Sequence, residues 1–557
     1  MATRESYIPF QSPFRGVSSS PARLSQGGFS PLAINCDTSQ GVLRGRPGYR
    51  VINQQPNERV LGCHSVIDYD GSAQILAVYY QAGESTRWGS VIFRVIASTG
   101  ASIGPVSTTI SSFPYDITPG PFEFPRFVDF GSVTYILFPK GAMYMYDSGE
   151  KEMVLVRTSK IASNAIFPYF ESIPSGSIAE SHGRRLFMAG FRGDKSFSVT
   201  TNIPSDQNLI PESVIDQSRG AVNLPSNAII FSDFDDPTVW KASNIMATPK
   251  GQRVTGMVST QSELLVFTEQ TVSVIRGSHA QGMTITTLAQ GVGCVGQRTI
   301  VNGQGMTCWL SHNGWYMYSA GSIQKISDDI GDIFRLEGWR ETPMKELGPA
   351  ASEFQYPLCV DKSSMWQSCG GFDFARGAFM WSIPMLGYRQ WVGYNQSYSS
   401  KPAKTNNLTV VFYPSTGTWD MWAPATDSGF YPTSYTSVLE GSNQYLMFGN
   451  EDGQMCVWGS DSVDKVAEIP QPGDPSRGVA GQITSSLDSD DATIKWFWMS
   501  PRLEPGSNLA TSVRSLRVRQ RAVGYQPTLD AIQFYLETER AFDQNSTELS
   551  AKGYLDG

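Results

Sequence analysis

The hairpin pattern is clearest in residues 227–333, which begin with AIIFSDFDDPTVW (228–240) and continue through SELLVF (262–267), TVSVIRG (271–277) and TCWLSHNGWYMY (307–318). Each piece is rich in β-branched or aromatic residues and is followed by residues that favour turns. Strand-forming runs that alternate with short turns are the sequence signal of β-hairpins. This stretch therefore predicts a series of antiparallel hairpins.

Two of these hairpins are close in length and begin 42 residues apart, at Leu264 and Met306. A period of about 40–45 residues is typical of one four-stranded blade of a β-propeller. In the second hairpin, Asn313 and Gly314 predict a type I′ turn, because both central residues of that turn need positive φ. The sequence thus predicts an all-β chain with a propeller of six to eight blades over residues 61–460. A multi-sheet sandwich is the alternative.

Composition narrows the classes of function. The chain has 557 residues, a net charge of −8 and a pI of about 5.3, so the whole chain is not an electrostatic binder of nucleic acid, which needs a basic face. Its seven scattered cysteines contain no C-x-x-C pair and are interpreted as reduced thiols. The N-terminus has no apolar segment typical of a signal peptide, and no run of 18 apolar residues predicts membrane insertion.

The two ends of the chain differ from the hairpin region. Residues 1–60 are polar and rich in Ser, Pro, Gly and Arg, which predicts an extended N-terminal arm that packs on a partner. Residues 461–490 are rich in Gly, Pro, Ser and Asp and read as a linker. Strand-like runs return after it, so residues 461–557 are predicted to form a linker and a small C-terminal β region.

Catalytic motifs are not found in the sequence. It has no phosphate-binding P-loop, no H-E-x-x-H zinc motif and no G-x-S-x-G nucleophile elbow, and its four histidines are far apart. We therefore expect no catalytic residue, no metal and no cofactor. Trp419 and Trp422 are predicted to lie on one face of one strand, where they form either a sugar-stacking platform or, as we favour, part of the core between blades.

The element at residues 228–240 resembles one found in tail nozzle proteins of short-tailed bacteriophages, also called tail tubular or packaged-DNA stabilisation proteins. The runs LLVFTE (264–269), WLSHNGWY (309–316) and AFMWSIP (378–384) are similar to later elements of that family, in the same order. LRGRPG (43–48) resembles its N-terminal entry motif. The residues that carry the resemblance are Phe231, Ser232, Asp233, Asp236, Pro237, Trp240, Asn313, Gly314 and Trp315, with Arg44, Arg46, Pro47 and Gly48 as candidate docking residues.

The resemblance implies a structural virion protein in the phage tail, with no catalytic residues. It implies a ring, predicted to be sixfold, that lies below the portal and adaptor proteins and contacts tail fibre or needle proteins. Double-stranded DNA would pass through the lumen without sequence-specific binding. A propeller enzyme or lectin that acts on host surface glycans is the alternative from another class.

Overall fold

The computed structural model describes residues 14–24, 28–30, 33–55, 58–68, 70–81, 89–98, 109–113, 124–138, 142–156, 169–174, 176–191, 196–198, 215–216, 221–277, 282–334, 357–387, 406–423, 431–459, 463–465, 491–493 and 497–498. These residues are almost all in strands and turns, which confirms the predicted all-β class. The described helices are one short α-helix (Pro21–Leu24) and four 3-10 helices (Pro249–Gly251, Gln297–Thr299, Asp328–Phe334 and Met365–Gln367).

Seven antiparallel sheets follow one another along the chain and form a seven-bladed β-propeller, within the predicted range of six to eight. Both hairpins from which the period was inferred are present, in blades 4 and 5. Blades 1 to 4 have the strands Glu58–Ile67, Ala73–Gln81, Gly89–Ala97 and Thr109–Phe113; Arg126–Phe130, Val133–Phe138, Ala142–Asp147 and Glu152–Val156; Ile178–His182, Arg185–Ala189, Ala228–Phe231 and Ile245–Ala247; and Val254–Ser259, Leu264–Thr268, Thr271–Arg276 and Thr284–Gln290. Blades 5 to 7 have the strands Val301–Gly303, Met306–Ser311, Gly314–Ser319 and Ser322–Lys325; Cys369–Asp373, Ala378–Ile383, Leu408–Tyr413 and Thr418–Trp422; and Pro432–Glu440, Asn443–Asn450, Gln454–Trp458 and Tyr49–Gln54.

The fourth strand of blade 7 comes from the N-terminal region of the chain. Tyr49 pairs with Trp458 and Gln54 pairs with Gln454. A strand that precedes blade 1 in the sequence therefore completes blade 7. The prediction that residues 1–60 form an arm separate from the propeller is therefore wrong for residues 49–54, and also for residues 58–60, which begin the first strand of blade 1. Local sequence did not reveal this pairing because the partner strand lies at the far end of the propeller sequence.

Shorter strands are added outside the four-stranded pattern. Blade 7 continues from its fourth strand into two strands from the region predicted as a linker and C-terminal β region. A further strand from that region pairs with the N-terminal segment. These additional strands are Val463–Lys465 and Asp491–Thr493; Ala33–Ile34 with Phe497–Trp498; Cys36–Asp37 with Arg44–Gly45; Ser196–Ser198, Ile215–Asp216 and Ala221–Asn223; and Pro357–Val360 with Met385–Gly387.

The first strands of neighbouring blades contact each other and surround the propeller axis. Blades 7 and 1 are joined by the hydroxyl of Thr433, which donates to the carbonyl of Val60 at 2.6 Å, and by the amide of Cys63, which donates to Ser434 Oγ at 2.8 Å. Both bonds are buried. The ring of blades is thus closed by side-chain hydrogen bonds as well as by the N-terminal strand.

Four fully buried tryptophans occupy the cores on either side of blade 6. The ring of Trp419 lies 5.3 Å from Trp315 and 6.2 Å from Trp381 in the core shared with blade 5. Trp422 lies in a different core, with Trp458 of blade 7 at 5.3 Å. The interpretation of Trp419 and Trp422 as core residues is confirmed. The prediction that both lie on one face of the strand is wrong: they lie in different cores and face opposite sides, because residues three apart on a strand point to opposite faces.

The turn between the two middle strands of blade 5 differs from the prediction by one residue. Ser311 pairs with Gly314, so the two turn residues are His312 and Asn313, and Gly314 is the first residue of the next strand. Neither turn residue has positive φ, whereas Gly314 has φ +138°. The type I′ assignment is therefore wrong, although the expectation that Gly314 requires positive φ is correct.

Replacing Gly314 with alanine is expected to destabilise the fold by about 2 kcal/mol, because strained φ and a steric clash add together. A Cβ at this position would lie 2.2 Å from Ser327 Oγ. This hydroxyl cannot easily move away, because it accepts a hydrogen bond from the amide of Trp315 at 2.9 Å. The matched control is Gly321→Ala, where φ is +83° and nothing lies within 4 Å of the added atom. Urea unfolding that gives equal losses for both variants would contradict the clash.

Candidate functional site

The candidate docking residues Arg44, Arg46, Pro47 and Gly48 do not form one exposed surface. Arg44 is exposed and contacts the side chain of Gln40, whereas Arg46, Pro47 and Gly48 are buried. Arg46 donates to Asn35 Oδ1 at 2.9 Å, to the carbonyl of Pro47 at 3.0 Å and to the carbonyl of Ala423 at 3.0 Å. The prediction that Arg46 docks on carboxylates of a partner is therefore wrong; its guanidinium holds the N-terminal segment to the end of blade 6.

The described part of the N-terminal arm lies along the last strand of blade 6. The amide of Val17 donates to the carbonyl of Trp419 at 2.8 Å, and the amide of Asn35 donates to the carbonyl of Met421 at 2.8 Å. The indole of Trp422 donates to the carbonyl of Cys36 at 3.0 Å. These bonds cover a sheet edge that would otherwise present unpaired backbone groups. The arm therefore packs on its own propeller, contrary to the prediction that it packs elsewhere.

A buried carboxyl group fixes this segment. Asp420 accepts the amide of Thr38 at 2.8 Å through one oxygen and the hydroxyl of Thr38 at 2.8 Å through the other. Burial raises the pKa of Asp420 to about 7, against the lowering effect of both Thr38 bonds, and the nearby Asp37 raises it further. The hydroxyl of Tyr413 also faces this group and donates to Asp37 at 3.3 Å.

The pH dependence of stability follows from this raised pKa. Because the folded state holds the proton of Asp420 more tightly than the unfolded state, the contribution of this group is largest below about pH 4 and is lost as pH rises towards 7. Asp420→Asn removes the titration, so we expect wild type to lose about 1 to 2 kcal/mol relative to the variant between pH 5 and pH 7. Urea midpoints at several pH values measure this; parallel profiles for the two proteins would contradict it.

The acidic element that carries the family resemblance is a compact turn of blade 3. Ser232 Oγ accepts the amide of Leu186 at 2.9 Å, and the indole of Trp240 donates to the carbonyl of Pro237 at 3.0 Å. Asp236 Oδ1 accepts both the amide and the hydroxyl of Thr238, at 2.9 and 2.6 Å. These residues, together with buried Phe231, shape and anchor the loop.

An exposed aromatic side chain lies at the tip of this turn. Phe234 is 47% exposed, and the guanidinium groups of Arg184 and Arg185 lie 4.8 and 5.6 Å from its ring centre. Arg184 and Asp235 both have positive φ, at +59° and +61°, and pair with each other. Lys241 pairs with Asp233 at 2.7 Å. Sequence reasoning missed Phe234, because nothing in a single apolar residue between carboxylates indicates that neighbouring arginines stack on it.

One mouth of the propeller axis is closed by side chains. Arg298 precedes blade 5. It donates to the carbonyl of Gln367, just before blade 6, at 2.7 Å, and to the carbonyl of Thr433, in blade 7, at 2.6 Å. The same guanidinium lies 3.4 Å from the ring centre of Phe124, which precedes blade 2. Phe124 also contacts Trp366 at 6.1 Å between ring centres. Because these residues come from opposite sides of the ring, they meet across the axis where the first strands begin.

Polar contacts also join the first strands of blades 2, 3 and 4. Arg126 pairs with Glu180 at 2.6 Å, and burial raises the pKa of Glu180 although this guanidinium opposes the shift. His182 Nδ1 lies 2.8 Å from Ser259 Oγ, and burial lowers the pKa of that imidazole. A polar cavity of about 480 Å³ opens beside them, lined by Ser181, His182, Gly183, Ser259, Thr260, Gln261, Ser262 and Gly277.

The described ranges contain neither a cluster of side chains arranged to hold a metal ion nor a helix that could span a membrane. Within them, no group of three or more His, Cys, Asp or Glu side chains is arranged to hold a metal ion. His64 pairs with Asp129 at 2.9 Å in blades 1 and 2, far along the chain from His312 in blade 5. The seven cysteines all lie in the described part of the chain, where they are buried and form no disulfide. No helix found there has the length and apolar character to span a membrane.

Comparison with known proteins gives similarity of structure only. No family model matches the chain, and no curated protein matches it. Among solved structures, it is similar to the computationally designed protein Ika8, with 10% identity and a TM-score of 0.35 over 74% of this chain and 99% of that one. It is also similar to BamB from Moraxella catarrhalis, with 9% identity and a TM-score of 0.31 over 72% and 85% of the two chains. Similarities this distant carry no argument about function.

Proposed function

We propose that this protein is a structural subunit of a bacteriophage tail, which assembles into a sixfold ring and forms the nozzle that retains the genome and conducts it during ejection. The observation that carries the proposal is the order of the family-like elements. They occur at residues 228–240, 264–269, 309–316 and 378–384, in blades 3, 4, 5 and 6. Each element is ordinary turn and strand chemistry, so the support comes from four of them in sequence.

The lumen for DNA would lie between subunits. The axis of a single propeller is unsuited to a duplex, because Arg298, Phe124 and Trp366 meet across one mouth. A ring of subunits with a net charge of −8 each presents a wall that repels phosphates over a Debye length of about 8 Å. Such a wall favours rapid release of DNA and needs no sequence-specific contact.

The proposed partners are portal and adaptor proteins above the ring and tail fibre or needle proteins at its other contacts. Of the residues first considered for docking, Arg44 is the one with an exposed side chain. Arg44→Glu is therefore the informative substitution for docking. A change at Arg46 would disturb the fold at the same time, because its guanidinium is buried against the carbonyls of Pro47 and Ala423.

The alternative function, a propeller enzyme or lectin that acts on glycans, is not supported by Trp419 and Trp422. Trp419 and Trp422 were its candidate sugar-stacking platform, and both are fully buried. A stacking platform requires an exposed ring face.

Electron microscopy tests assembly. The full-length chain, purified and mixed with its neighbouring tail proteins, is expected to form rings with a central hole. Monomers that remain dispersed and bind a glycan array would contradict the proposal and favour the lectin.

A further inference from the structure

The two faces of the propeller have different chemistry. In a four-stranded antiparallel blade, the turn between strands one and two and the turn between strands three and four lie on the same side. We call the side with these turns the open face. Arg298, Phe124 and Trp366 lie at the opposite side, where the first strands begin and their side chains fill the axis. The cavity beside His182 lies on the open face, after the first strand of blade 3.

Exposed apolar side chains gather on the open face. Four of the six large hydrophobic residues that are exposed in the described part of the chain lie there, and none of the six lies in a turn of the opposite face. The other two, Val42 and Val154, lie in the N-terminal segment and in the last strand of blade 2. The four on the open face are Ile67 (56% exposed), Phe234 (47%), Phe374 (50%) and Leu439 (46%).

Three of these residues lie on neighbouring blades. Ile67 ends the first strand of blade 1, Leu439 lies near the end of the first strand of blade 7, and Phe374 follows the first strand of blade 6. Hydrogen bonds hold these strands together: Cys63 to Ser434 joins blades 1 and 7 at 2.8 Å. We call Ile67, Leu439 and Phe374 the apolar arc.

The arc is firmly built and adjoins a cavity. Phe374 packs edge-on against Phe372 with ring centres 4.9 Å apart, and the carbonyl of Phe372 accepts the hydroxyl of Ser437 in blade 7 at 2.7 Å. A cavity of about 500 Å³ opens between these blades, lined by Ala375, Ser442, Gln444 and Tyr445. A side chain held in place before binding loses little conformational entropy when a partner covers it. Rigid aromatic anchors next to pockets are typical of interface hot spots.

The border of the arc is acidic. Four carboxylates lie in or beside its turns, and two of them are paired with basic side chains. Lys151 pairs with Asp68, and Arg376 pairs with Asp373. Asp70 is exposed, and hydrogen bonds from Ser72 lower its pKa. The remaining carboxylate, Glu440, accepts hydrogen bonds from Ser98 and Tyr445, both at 2.8 Å. Two copies of this face would repel each other, because like charges would oppose across the contact.

We infer that the apolar arc is a docking surface for a different protein, whose contact region presents apolar side chains bordered by lysine or arginine. Apolar side chains of the partner cover Phe374, Leu439 and Ile67, and its basic residues pair with the acidic border. The inference rests on the proposed function, which places this contact between the nozzle ring and its axial neighbour in the tail.

Site-specific photocrosslinking in assembled particles tests the inference. Benzoylphenylalanine replaces Phe374 in one full-length chain and Val42 in a control, since Val42 is equally exposed, at 51%, but belongs to the N-terminal segment and to no turn of a blade. We expect at least tenfold more crosslink to a second virion protein from position 374, in a peptide that contains lysine or arginine beside apolar residues. Crosslinks to another copy of this chain, or equal yields from both positions, would overturn the inference.

A surface substitution gives an independent measurement. Phe374→Asp adds a charge at a half-exposed position, so the variant should keep the melting temperature of wild type within a few degrees while its incorporation into particles falls at least tenfold. Normal incorporation of a folded variant would overturn the docking surface while the proposed function stands. Absence of the wild-type chain from particles would instead overturn the proposed function, and the docking inference with it.

Discussion

Replacing Arg46 with alanine is expected to lower the free energy of unfolding by about 3 kcal/mol. The substitution removes hydrogen bonds to the carbonyls of Pro47, which is buried, and of Ala423, which is half-buried, and leaves both without these donors. Each buried polar group that loses its partner costs about 1–3 kcal/mol. Arg46 itself is fully buried, so the lost side chain also leaves a cavity.

The control for this prediction lies two residues away. Arg44 is exposed and contacts Gln40, so Arg44→Ala should change stability by no more than about 0.5 kcal/mol. Urea unfolding of the two variants separates a structural arginine from a surface one. Equal losses, or a larger loss for Arg44→Ala, would contradict the assignment of Arg46 to the fold.

Replacing Trp419 with alanine is expected to have the largest effect of any single substitution discussed, about 3–5 kcal/mol. The indole is fully buried, and its ring lies 4.7 Å from Phe412 and 5.3 Å from Trp315. It also donates to the carbonyl of Ile326 at 3.0 Å, which links blade 6 to the segment after blade 5. The variant therefore loses apolar contact and one hydrogen bond between blades.

The matched aromatic control is Phe374→Ala. This side chain is 50% exposed and belongs to the open face, so its removal should cost about 1 kcal/mol or less. Thermal or urea unfolding compares the two. A loss at Trp419 as small as that at Phe374 would contradict the close packing of the core between blades 5 and 6.

The propeller could be predicted from sequence because its blades are local. Antiparallel hairpins such as Leu264–Thr268 with Thr271–Arg276 pair residues close in the chain, so alternation and turn residues mark them directly. The closing strand Tyr49–Gln54 pairs with the other end of the propeller, and no local pattern specifies that partner. Strand periodicity places Trp419 and Trp422, three residues apart, on opposite faces, so the expectation that they share one face misapplied that periodicity.

The surroundings of the candidate site residues were harder to predict from sequence, because the burial of a polar side chain depends on partners that are far away in the chain. An Arg-Gly-Arg sequence suggests exposure, but Arg46 is buried where the carbonyl of Ala423, from the end of blade 6, reaches it. Arg298 likewise has no distinctive sequence context, yet it meets Phe124 across the axis. Such positions are set by the closure of the ring rather than by neighbouring residues.

We propose that the chain is a ring-forming subunit of a phage tail. The most direct measurement is immunoelectron microscopy of genome-filled particles with an antibody against the full-length chain. We predict label at the tail, on the side of the portal away from the head. Particles that carry no label anywhere, from a preparation in which the same antibody detects the free chain, would contradict the claim.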